Sequence, residues 1–500
     1  MDQLIQKTEF KNYSPKDVLE ATYLATKNFQ IRALFEAKKE ILEIGKYTEQ
    51  EFYHILDAMI DAETERQLFL QDLRKIKEVL KLDDLVRKFS NLNPMYLLRD
   101  IIYLKEQGYI EESNEVKIKL VKKKIKGVEK EVEQEEHIFK YKANKLDADF
   151  VERIFEPVSI IYNSGLCCNC GWCSAICPVN AIVVNSDELK VDEELCIKCG
   201  LCFTVCPRSF PIERVSEFKS QLNESLTFSE KIGTYLNTYS GTTNIDQIKK
   251  SCQDGGIVTT LLEYLLKNKV VDAIIAVKHS EDLWNPKAVI VNNLKDLYKT
   301  AGTKYANCAS LSILDQSKQY EGIAIVGVPC MMKAIEKGSL FPSGYPFFTN
   351  IKYKIGLFCM ESFSYDNIIK LVEEKFDKNI EDLVKMNIDK GKFIINLKSG
   401  EELDVPLKEI QAYARETCHF CEDLTSDFAD ISVGSIGSQA GWSSVITRNE
   451  KGEELYQAAI KDGLIESKDL TEVKPGRFLV EKIAGIKRNK CKPIKLTENK

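Results

Sequence analysis

Apolar positions recur at helical spacing along about the first 90 residues of the chain. Ser14, which precedes a proline, and Thr48 each stand where a helix N-cap is expected. Apolar side chains follow every three to four residues, as at Phe52, Ile55 and Met59. Because this spacing places them on one face of a helix, the N-terminal part is predicted to be mostly helical.

From about residue 73 to 124 the pattern changes to shorter helices followed by alternating apolar and polar positions. One helix is predicted to end near Leu80, a second to span Asp83 to Phe89, and a third to span Pro94 to Gln107 before a glycine. Alternation around Ser113-Asn114 predicts a β-hairpin with its turn there. Three helices and a hairpin resemble a winged helix.

A winged helix binds DNA through its third helix. Here that helix is expected to expose only Arg99 and Lys105 as basic residues, so a docking role is favoured over DNA binding. The lysines of Val121–Lys124 either contact phosphate or form a solvated charge run. The polar stretch Val128 to Glu136 is predicted to be a linker or an exposed helix.

The C-terminal half alternates strand-like and helical patterns, which predicts an α/β fold. Residues 216 to 250 carry no clear pattern. The predicted strands and one predicted helix are Val270–Val277, Ala288–Val291, Ile323–Val328 and Lys352–Phe358, with the helix Val258–Lys267.

Composition sets the class of protein. The 500 residues are 44% hydrophobic and 29% charged with a net charge of −6, which predicts several globular domains and argues against nucleic acid as a partner. No apolar run approaches the roughly 18 residues of a membrane-spanning helix, and the N-terminus has no export signal, so a cytoplasmic protein is expected. In a reducing compartment, 16 cysteines are more consistent with metal ligands than with disulfides.

Two copies of the pattern C-x2-C-x2-C-x3-C-P stand in the middle of the chain. Three thiolates of such a run bind one 4Fe-4S cluster, and the fourth, next to the proline, reaches the other cluster. Zinc sites group cysteines differently, as separated C-x2-C pairs. The predicted ligands are Cys167, Cys170, Cys173 and Cys206 for one cluster, and Cys196, Cys199, Cys202 and Cys177 for the other. Cys168 falls outside this register and is predicted to take no part.

Residues 155 to 212 thus resemble the bacterial-type dicluster ferredoxin. Such a module passes one electron at a time and binds no substrate, so other parts of the chain must supply the chemistry. A glycine pair within Ser251–Thr260 precedes a predicted helix. The pair indicates either a phosphate-binding helix N-terminus or an ordinary turn before the helix. Cys330 and Cys359 follow predicted strands, and Cys418-x2-Cys421 lies in a loop. These four cysteines allow another 4Fe-4S cluster, a zinc site or buried free thiols.

The region from about 230 to 470 resembles the family of beta subunits of coenzyme F420-dependent hydrogenases and dehydrogenases. The segments that carry the resemblance are Asp254–Thr259, Gly302–Tyr305, Gly327–Cys330, Gly356–Cys359, and the run Cys418–Thr425 continued by Ala429–Gly434, Gly437 and Gly441–Ser444. One departure is Met331, where the family often has glutamine. The N-terminal 150 residues lie outside the resemblance.

The resemblance implies FAD, a third 4Fe-4S cluster, and hydride exchange with the deazaflavin coenzyme F420. The implied ligands of the third cluster are Cys330, Cys359, Cys418 and Cys421. The implied flavin-binding residues are Asp254, Gly255, Gly256, Thr259, Lys304, Tyr305, Gly434, Gly437 and Ser443. Lys304 is the basic group expected to touch the flavin or the phosphate of F420, unless it is a surface lysine.

A multidomain α+β protein is therefore expected. Residues 1–150 would form a helical region with a winged-helix-like part at about 73–124, residues 151–215 the dicluster ferredoxin domain, and residues 225–500 an α/β flavin-binding domain. Deazaflavin carries hydride and clusters carry single electrons, and FAD connects the two kinds of chemistry.

The implied partner is a larger redox complex, such as a hydrogenase, sulfite reductase, heterodisulfide reductase or formate dehydrogenase. Two alternatives remain open. One is an electron-transfer subunit of a formate dehydrogenase or similar complex that does not use F420. The other is a redox-sensing winged-helix regulator, whose DNA affinity would fall steeply with salt.

Overall fold

The computed structural model describes residues 13–76, 78–90, 92–125, 128–144, 157–280, 284–341 and 350–493. They divide into two compact units. The first contains the described residues up to 144 except 44–46, and the second contains 44–46 and everything described from 157 onwards. No helix in these ranges is long and apolar enough to span a bilayer.

The N-terminal part is mostly helical, as predicted. Ser14 caps the first helix through the amide of Asp17, and Thr48 forms a reciprocal capping box with Glu51. The helices are Pro15–Ala25, Phe29–Glu36, Lys38–Ile44, Glu49–Lys75, Leu82–Lys88 and Pro94–Glu106. The strands are β1 (Leu80–Lys81), β2 (Ile110–Ile125) and β3 (Val128–Ala143), in the sheet order β1-β3-β2.

The hairpin differs from the prediction in its length and in the position of its turn. β2 pairs with β3 from Ile110 opposite Ala143 to Ile125 opposite Val128. The predicted turn at Ser113-Asn114 is therefore wrong, and so is the predicted linker or helix at Val128 to Glu136. Lysine and glutamate each have a low propensity for β-strands. Lys140 of β3 forms an ion pair with Glu115 of β2 across the two strands, which favours antiparallel pairing.

The helix Pro94–Glu106, predicted as the third helix of the winged-helix part, does not expose Arg99, contrary to the prediction. Arg99 is 4% exposed and pairs with Asp100 through Nε at 2.7 Å. Arg66 reaches the same carboxylate at 3.0 Å and also pairs with Glu63 at 2.6 Å. Arg99 is thus part of a buried ionic network, where its charge is already compensated.

The second unit begins with short elements around the two cysteine runs. Its helices are Ser159–Asn163, Trp172–Ile176, Leu201–Thr204, Arg214–Leu222, Asp246–Lys249, Ile257–Lys267, Leu294–Tyr298, Pro329–Leu340, Tyr365–Phe376, Leu407–Ile410, Glu450–Lys461 and Gly476–Lys490. Its 3-10 helices are Ser310–Gln319, Ile380–Asp382, Gln411–Tyr413 and Glu416–Phe420.

The strands of the second unit confirm the predicted α/β pattern. They are β4 (Ile182–Val184), β5 (Leu189–Val191), β6 (Thr227–Ser229), β7 (Gly233–Tyr235), β8 (Asn237–Thr243), β9 (Ala273–His279), β10 (Pro286–Val291), β11 (Ile323–Gly327), β12 (Ile351–Leu357), β13 (Leu383–Asp389), β14 (Lys392–Leu397), β15 (Glu402–Pro406), β16 (Ile431–Gly434), β17 (Ser443–Thr447) and β18 (Ile465–Asp469).

Eight of these strands form one mixed sheet in the order β10-β9-β11-β12-β16-β17-β8-β18. The four strands β9, β11, β12 and β16 are parallel, and the others are antiparallel to their neighbours. The helices Ile257–Lys267 and Glu450–Lys461 pack their apolar residues into the core of this sheet. A smaller antiparallel sheet, β13-β14-β15, has a separate core with the helix Tyr365–Phe376.

Candidate functional site

The thiols predicted for the first ferredoxin cluster line one cavity. Cys167, Cys170 and Cys173 come from the first cysteine run, and Cys206 comes from the end of the second. Apolar side chains, among them Val158, complete the wall. The cavity therefore joins the four residues that the spacing assigned to one cluster, including the one taken from the other run.

The second predicted set is also brought together. Burial raises the pKa of Cys199 to about 12, and the nearby thiols of Cys177 and Cys196 add to the rise. Cys202 has all three of these thiols as neighbours, and burial together with their charges raises its pKa as well. A buried thiol of this kind holds its proton until a metal replaces it. The donor set therefore fits a cluster chemically.

The two cysteine runs repeat one local backbone geometry. Asn169 and Gly171 have positive φ in the first run, and Lys198 and Gly200 have positive φ in the second. The first pair flanks Cys170 and the second flanks Cys199, the second cysteine of each run. At Gly171 a Cβ would lie 2.5 Å from the backbone nitrogen of Ser312, so glycine is required there for packing as well as for conformation.

The third set of thiols converges from separate elements. Cys330 is the second residue of the helix after β11, and Cys359 lies two residues beyond the end of the neighbouring strand β12. Cys359 has Cys418 and Cys421 as electrostatic neighbours, and Cys421 is also a neighbour of Cys330. Burial raises the pKa of Cys359 to about 12.

Within the described ranges, no three side chains of histidine, cysteine, aspartate or glutamate are arranged around the position of a single metal ion. A cubane distributes its four thiolates over four irons instead.

A buried lysine lies beside the third set. Lys487, which is 5% exposed, donates to the carbonyls of Cys359 at 2.5 Å and Asp423 at 2.7 Å. Burial opposes its charge, but the thiols of Cys421 and Cys359 raise its pKa above the ordinary value. The protonated, positively charged form of Lys487 is thus favoured beside these cysteines.

The third set lies next to the first. Arg415 donates to the backbone carbonyl of Cys168 at 3.1 Å and to the side chain of Asn169 at 2.5 Å. The Thr417 hydroxyl donates to the carbonyl of Leu166 at 2.8 Å. The Cys168 thiol is within hydrogen-bonding reach of Cys170 on one side and of Cys330 on the other. The loop that carries Cys418 therefore packs directly against the first cysteine run.

Several of the residues implied to bind flavin lie at one edge of the large sheet. Gly434 ends β16 and Ser443 begins its antiparallel neighbour β17. The same edge carries the end of β8 and the segment that leads to Gly255 and Gly256. Cys330 and Cys359 follow the parallel strands β11 and β12 at this edge as well. Ligands of open α/β sheets bind outside the carboxyl ends of the strands, where these residues lie.

Several of the implied flavin contacts already have packing roles. The Gly255 amide donates to Ser443 Oγ at 3.1 Å, and its carbonyl accepts from Thr243 at 2.7 Å. A Cβ on Gly434 would lie 2.2 Å from the ring of Phe358. These glycines are therefore needed by the fold whether or not a cofactor binds.

The other implied flavin residues lie on separate segments, and Tyr305 packs against the core of the smaller sheet. Gly256 has a φ of +71° and caps the helix that contains Thr259, which is 7% exposed. At Gly437 the φ is +102°, and its carbonyl accepts from the amide of Gly476 at 2.8 Å. Burial raises the pKa of Tyr305, and the charge of Asp254 adds to the rise, so these two side chains are neighbours.

Lys304 is half-buried rather than a fully exposed surface lysine. Its amino group donates to the carbonyls of Thr300, Ala301 and Gly302 at 2.6, 2.7 and 3.0 Å. Burial lowers its pKa to about 8. The three carbonyls use all three N–H donors of the ammonium group. To contact a phosphate, Lys304 would have to give up one of these hydrogen bonds.

Sequence reasoning missed the cations Arg208, Arg415 and Lys487, which hold the cysteine loops together. A basic residue directly after Cys206-Pro207 was visible in the sequence, but nothing in its spacing shows which loop its side chain meets. Met331 is buried and accepts a hydrogen bond from the hydroxyl of Ser310 through its sulfur at 3.1 Å.

Comparisons with known proteins agree with this geometry. The family model for a 4Fe-4S binding domain matches residues 189–210. The models for the N-terminal and C-terminal parts of the coenzyme F420 hydrogenase/dehydrogenase beta subunit match residues 238–315 and 320–473. These matches define an oxidoreductase that contains a 4Fe-4S-binding segment.

Individual relatives make the assignment specific. The beta subunit of the coenzyme F420 hydrogenase of Methanothermobacter thermautotrophicus is 35% identical over 264 residues, 52% of this chain and 94% of that protein. A subunit of the F420H2 dehydrogenase of Methanosarcina mazei is 33% identical over 345 residues, 66% of this chain and 92% of that protein. The chain belongs to the family of coenzyme F420 hydrogenase/dehydrogenase beta subunits.

A solved structure is similar as well. A chain of the F420-reducing NiFe hydrogenase complex from Methanosarcina barkeri shares 35% identity with a TM-score of 0.52. The match covers 53% of this chain and 92% of that one.

Proposed function

We propose that the chain exchanges a hydride between coenzyme F420 and FAD and passes the two electrons singly, through three 4Fe-4S clusters, to or from a larger redox complex. The observation that carries this proposal is the arrangement of the twelve cysteines as three adjoining sets. The third set shares a sheet edge with several of the residues that the family resemblance assigns to flavin. Membership of an F420-linked oxidoreductase family supports the choice of coenzyme.

The proposed cofactor FAD supplies the conversion between a hydride and single electrons. The residues of this chain would hold the reactants and exclude water. The N-terminus of the helix Ile257–Lys267 suits a pyrophosphate, because its first amides and dipole favour negative charge. Tyr305 and Asp254, which are neighbours, would line the same pocket.

An activity assay tests the proposal. Anaerobically reconstituted protein should reduce a viologen dye, a one-electron acceptor, at the expense of reduced F420. Cys359→Ala should lose dye reduction because the third cluster is missing. Cys308→Ala is the matched control, since Cys308 is also buried but belongs to none of the three sets. Equal loss in both variants, or dye reduction with formate and none with reduced F420, would contradict the proposal.

We also propose that residues 1–150 are a helical docking region with a winged-helix-like part at about 73–124, followed by domains at 151–215 and 225–500. The order of three helices, the hairpin and the β1-β3-β2 sheet supports the topology. Burial of Arg99 in an ion-pair network favours docking over DNA binding. Fluorescence anisotropy with a mixed-sequence DNA duplex at 50 and 200 mM salt tests this. Binding at low salt that weakens steeply at high salt would instead favour the regulator alternative.

A further inference from the structure

Arg208 joins the ferredoxin segment to the third set of cysteines. It stands two residues after Cys206, and its backbone amide donates to the Cys206 sulfur at 3.5 Å. Its guanidinium points the other way, donating to the carbonyl of Thr417 at 3.1 Å and to the carbonyl of Phe420. Thr417 directly precedes Cys418, and Phe420 directly precedes Cys421. One residue is thus bonded to ligand loops of both proposed clusters.

The charge of Arg208 has no carboxylate partner within the described part of the chain. The side chain is 6% exposed, and its Nε has no hydrogen-bond partner. Its main electrostatic neighbours are the thiols of Cys421, Cys168, Cys330 and Cys418, and the thiols of Cys206 and Cys491 are neighbours as well.

Other buried arginines of this protein are satisfied differently. Arg66 pairs with two carboxylates. Arg448 uses Nε and both terminal nitrogens in hydrogen bonds, for example from Nε to Ser432 at 2.9 Å. A buried cation with a free donor is costly unless negative charge arrives to balance it. Arg208 therefore needs a negative group where the thiols converge.

We propose that Arg208 is the charge-balancing and positioning residue between the third cluster and the cluster of Cys206, so that electrons pass between these two clusters first. The inference rests on the three-cluster arrangement of the proposed function and deepens it. When electrons flow from reduced F420 towards the partner complex, the third cluster would give up one electron and be oxidised. The Cys206 cluster would accept that electron and be reduced. No bond or proton is exchanged. The cluster held by Cys177, Cys196, Cys199 and Cys202 then follows in the path.

The physical reason is electrostatic. Four thiolates give a 4Fe-4S cluster a net negative charge, and each added electron makes it more negative. A fixed cation in a poorly solvated site stabilises the reduced form more than the oxidised form. Arg208 should therefore raise the reduction potential of the third cluster. Its bonds to Thr417 and Phe420 also fix the distance across which the electron moves.

A redox titration of the whole reconstituted protein tests this. The clusters are reduced chemically with dithionite and mediators and followed by electron paramagnetic resonance, so F420 is not required. The signal of the third cluster is the one that Cys418→Ala removes. The applied potential is set to the midpoint of the wild-type third cluster. At this potential the ratio of reduced to oxidised third cluster should be at least tenfold lower in Arg208→Gln than in wild type. A tenfold change equals a shift of 59 mV for a one-electron couple.

Two further variants keep the test decisive. Arg208→Lys retains the charge and loses the guanidinium fork, so its ratio should stay within threefold of wild type even if Arg208→Gln fails to bind its clusters. Arg448→Gln removes a buried arginine that has no thiol among its neighbours, and it should leave the ratio unchanged. An equal shift in Arg208→Lys and Arg208→Gln would overturn the inference, as would a full set of clusters with no shift in Arg208→Gln.

The inference and the proposed function fail in different ways. Wild-type protein with fewer than about twelve irons, three cubanes of four, would overturn both. Three intact clusters that reduced F420 does not reduce would overturn only the proposed function. In that case the potential of the third cluster still decides the role of Arg208.

Discussion

Replacing Gly255 by alanine separates the packing role of the glycine pair from its proposed role in flavin binding. A Cβ at this position would lie 2.4 Å from the carbonyl oxygen of Gly241 and 2.6 Å from the backbone nitrogen of Ser443. Ordinary contacts of a Cβ begin near 3.4 Å, so backbone must move by roughly 1 Å. Gly241 and Ser443 are paired across β8 and β17 and resist this shift.

Overpacking of this kind costs about 3 kcal/mol, which lowers the unfolding temperature by about 6–12 °C at ~2–4 °C per kcal/mol. Differential scanning calorimetry without FAD measures the change. Gly441→Ala is the matched control, because its φ is +77° and a Cβ there meets nothing within 4 Å. It should cost only the backbone strain of about 1 kcal/mol. Equal unfolding temperatures in the two variants would refute the packing argument.

Three further predictions follow from the same geometry. Cys168→Ala should keep all of the about twelve irons of three cubanes, whereas Cys170→Ala should lose about four; iron analysis decides. Because burial lowers the pKa of Lys304 to about 8, F420 affinity should weaken as pH rises through 8, and Lys304→Met should remove that dependence in a binding titration. Burial raises the pKa of Glu65 to about 8, so the protonated form is favoured on folding and stability falls between about pH 4.5 and 8. Glu65→Gln should flatten this fall, as measured by hydrogen-exchange protection of Glu49–Lys75.

Local chemistry was predictable from the sequence where it depends on neighbours along the chain. The N-caps at Ser14 and Thr48 are examples, since each is decided within three residues. The core strands of the α/β unit were also predictable, because continuous apolar runs such as Ile323–Gly327 are typical of buried parallel strands.

Features that depend on pairing between distant segments were not predictable from the sequence. The length of the hairpin from Ile110 to Ala143 depends on register, which no residue specifies alone. Arg99 was expected on the surface because arginine usually is, and only the nearby carboxylate of Asp100 explains its burial. The same holds at the site: the spacing of the cysteines predicts clusters, but not that Arg208 lies between them.

Rapid mixing of the anaerobic protein with reduced F420 tests the central claim most directly. The protein is first reconstituted with iron, sulfide and FAD, and flavin absorbance is followed together with that of oxidised F420. The account predicts fast bleaching of the flavin, matched by the return of F420 absorbance, in protein that binds about twelve irons as three cubanes. Full binding of FAD and clusters with no reaction toward reduced F420 would contradict it.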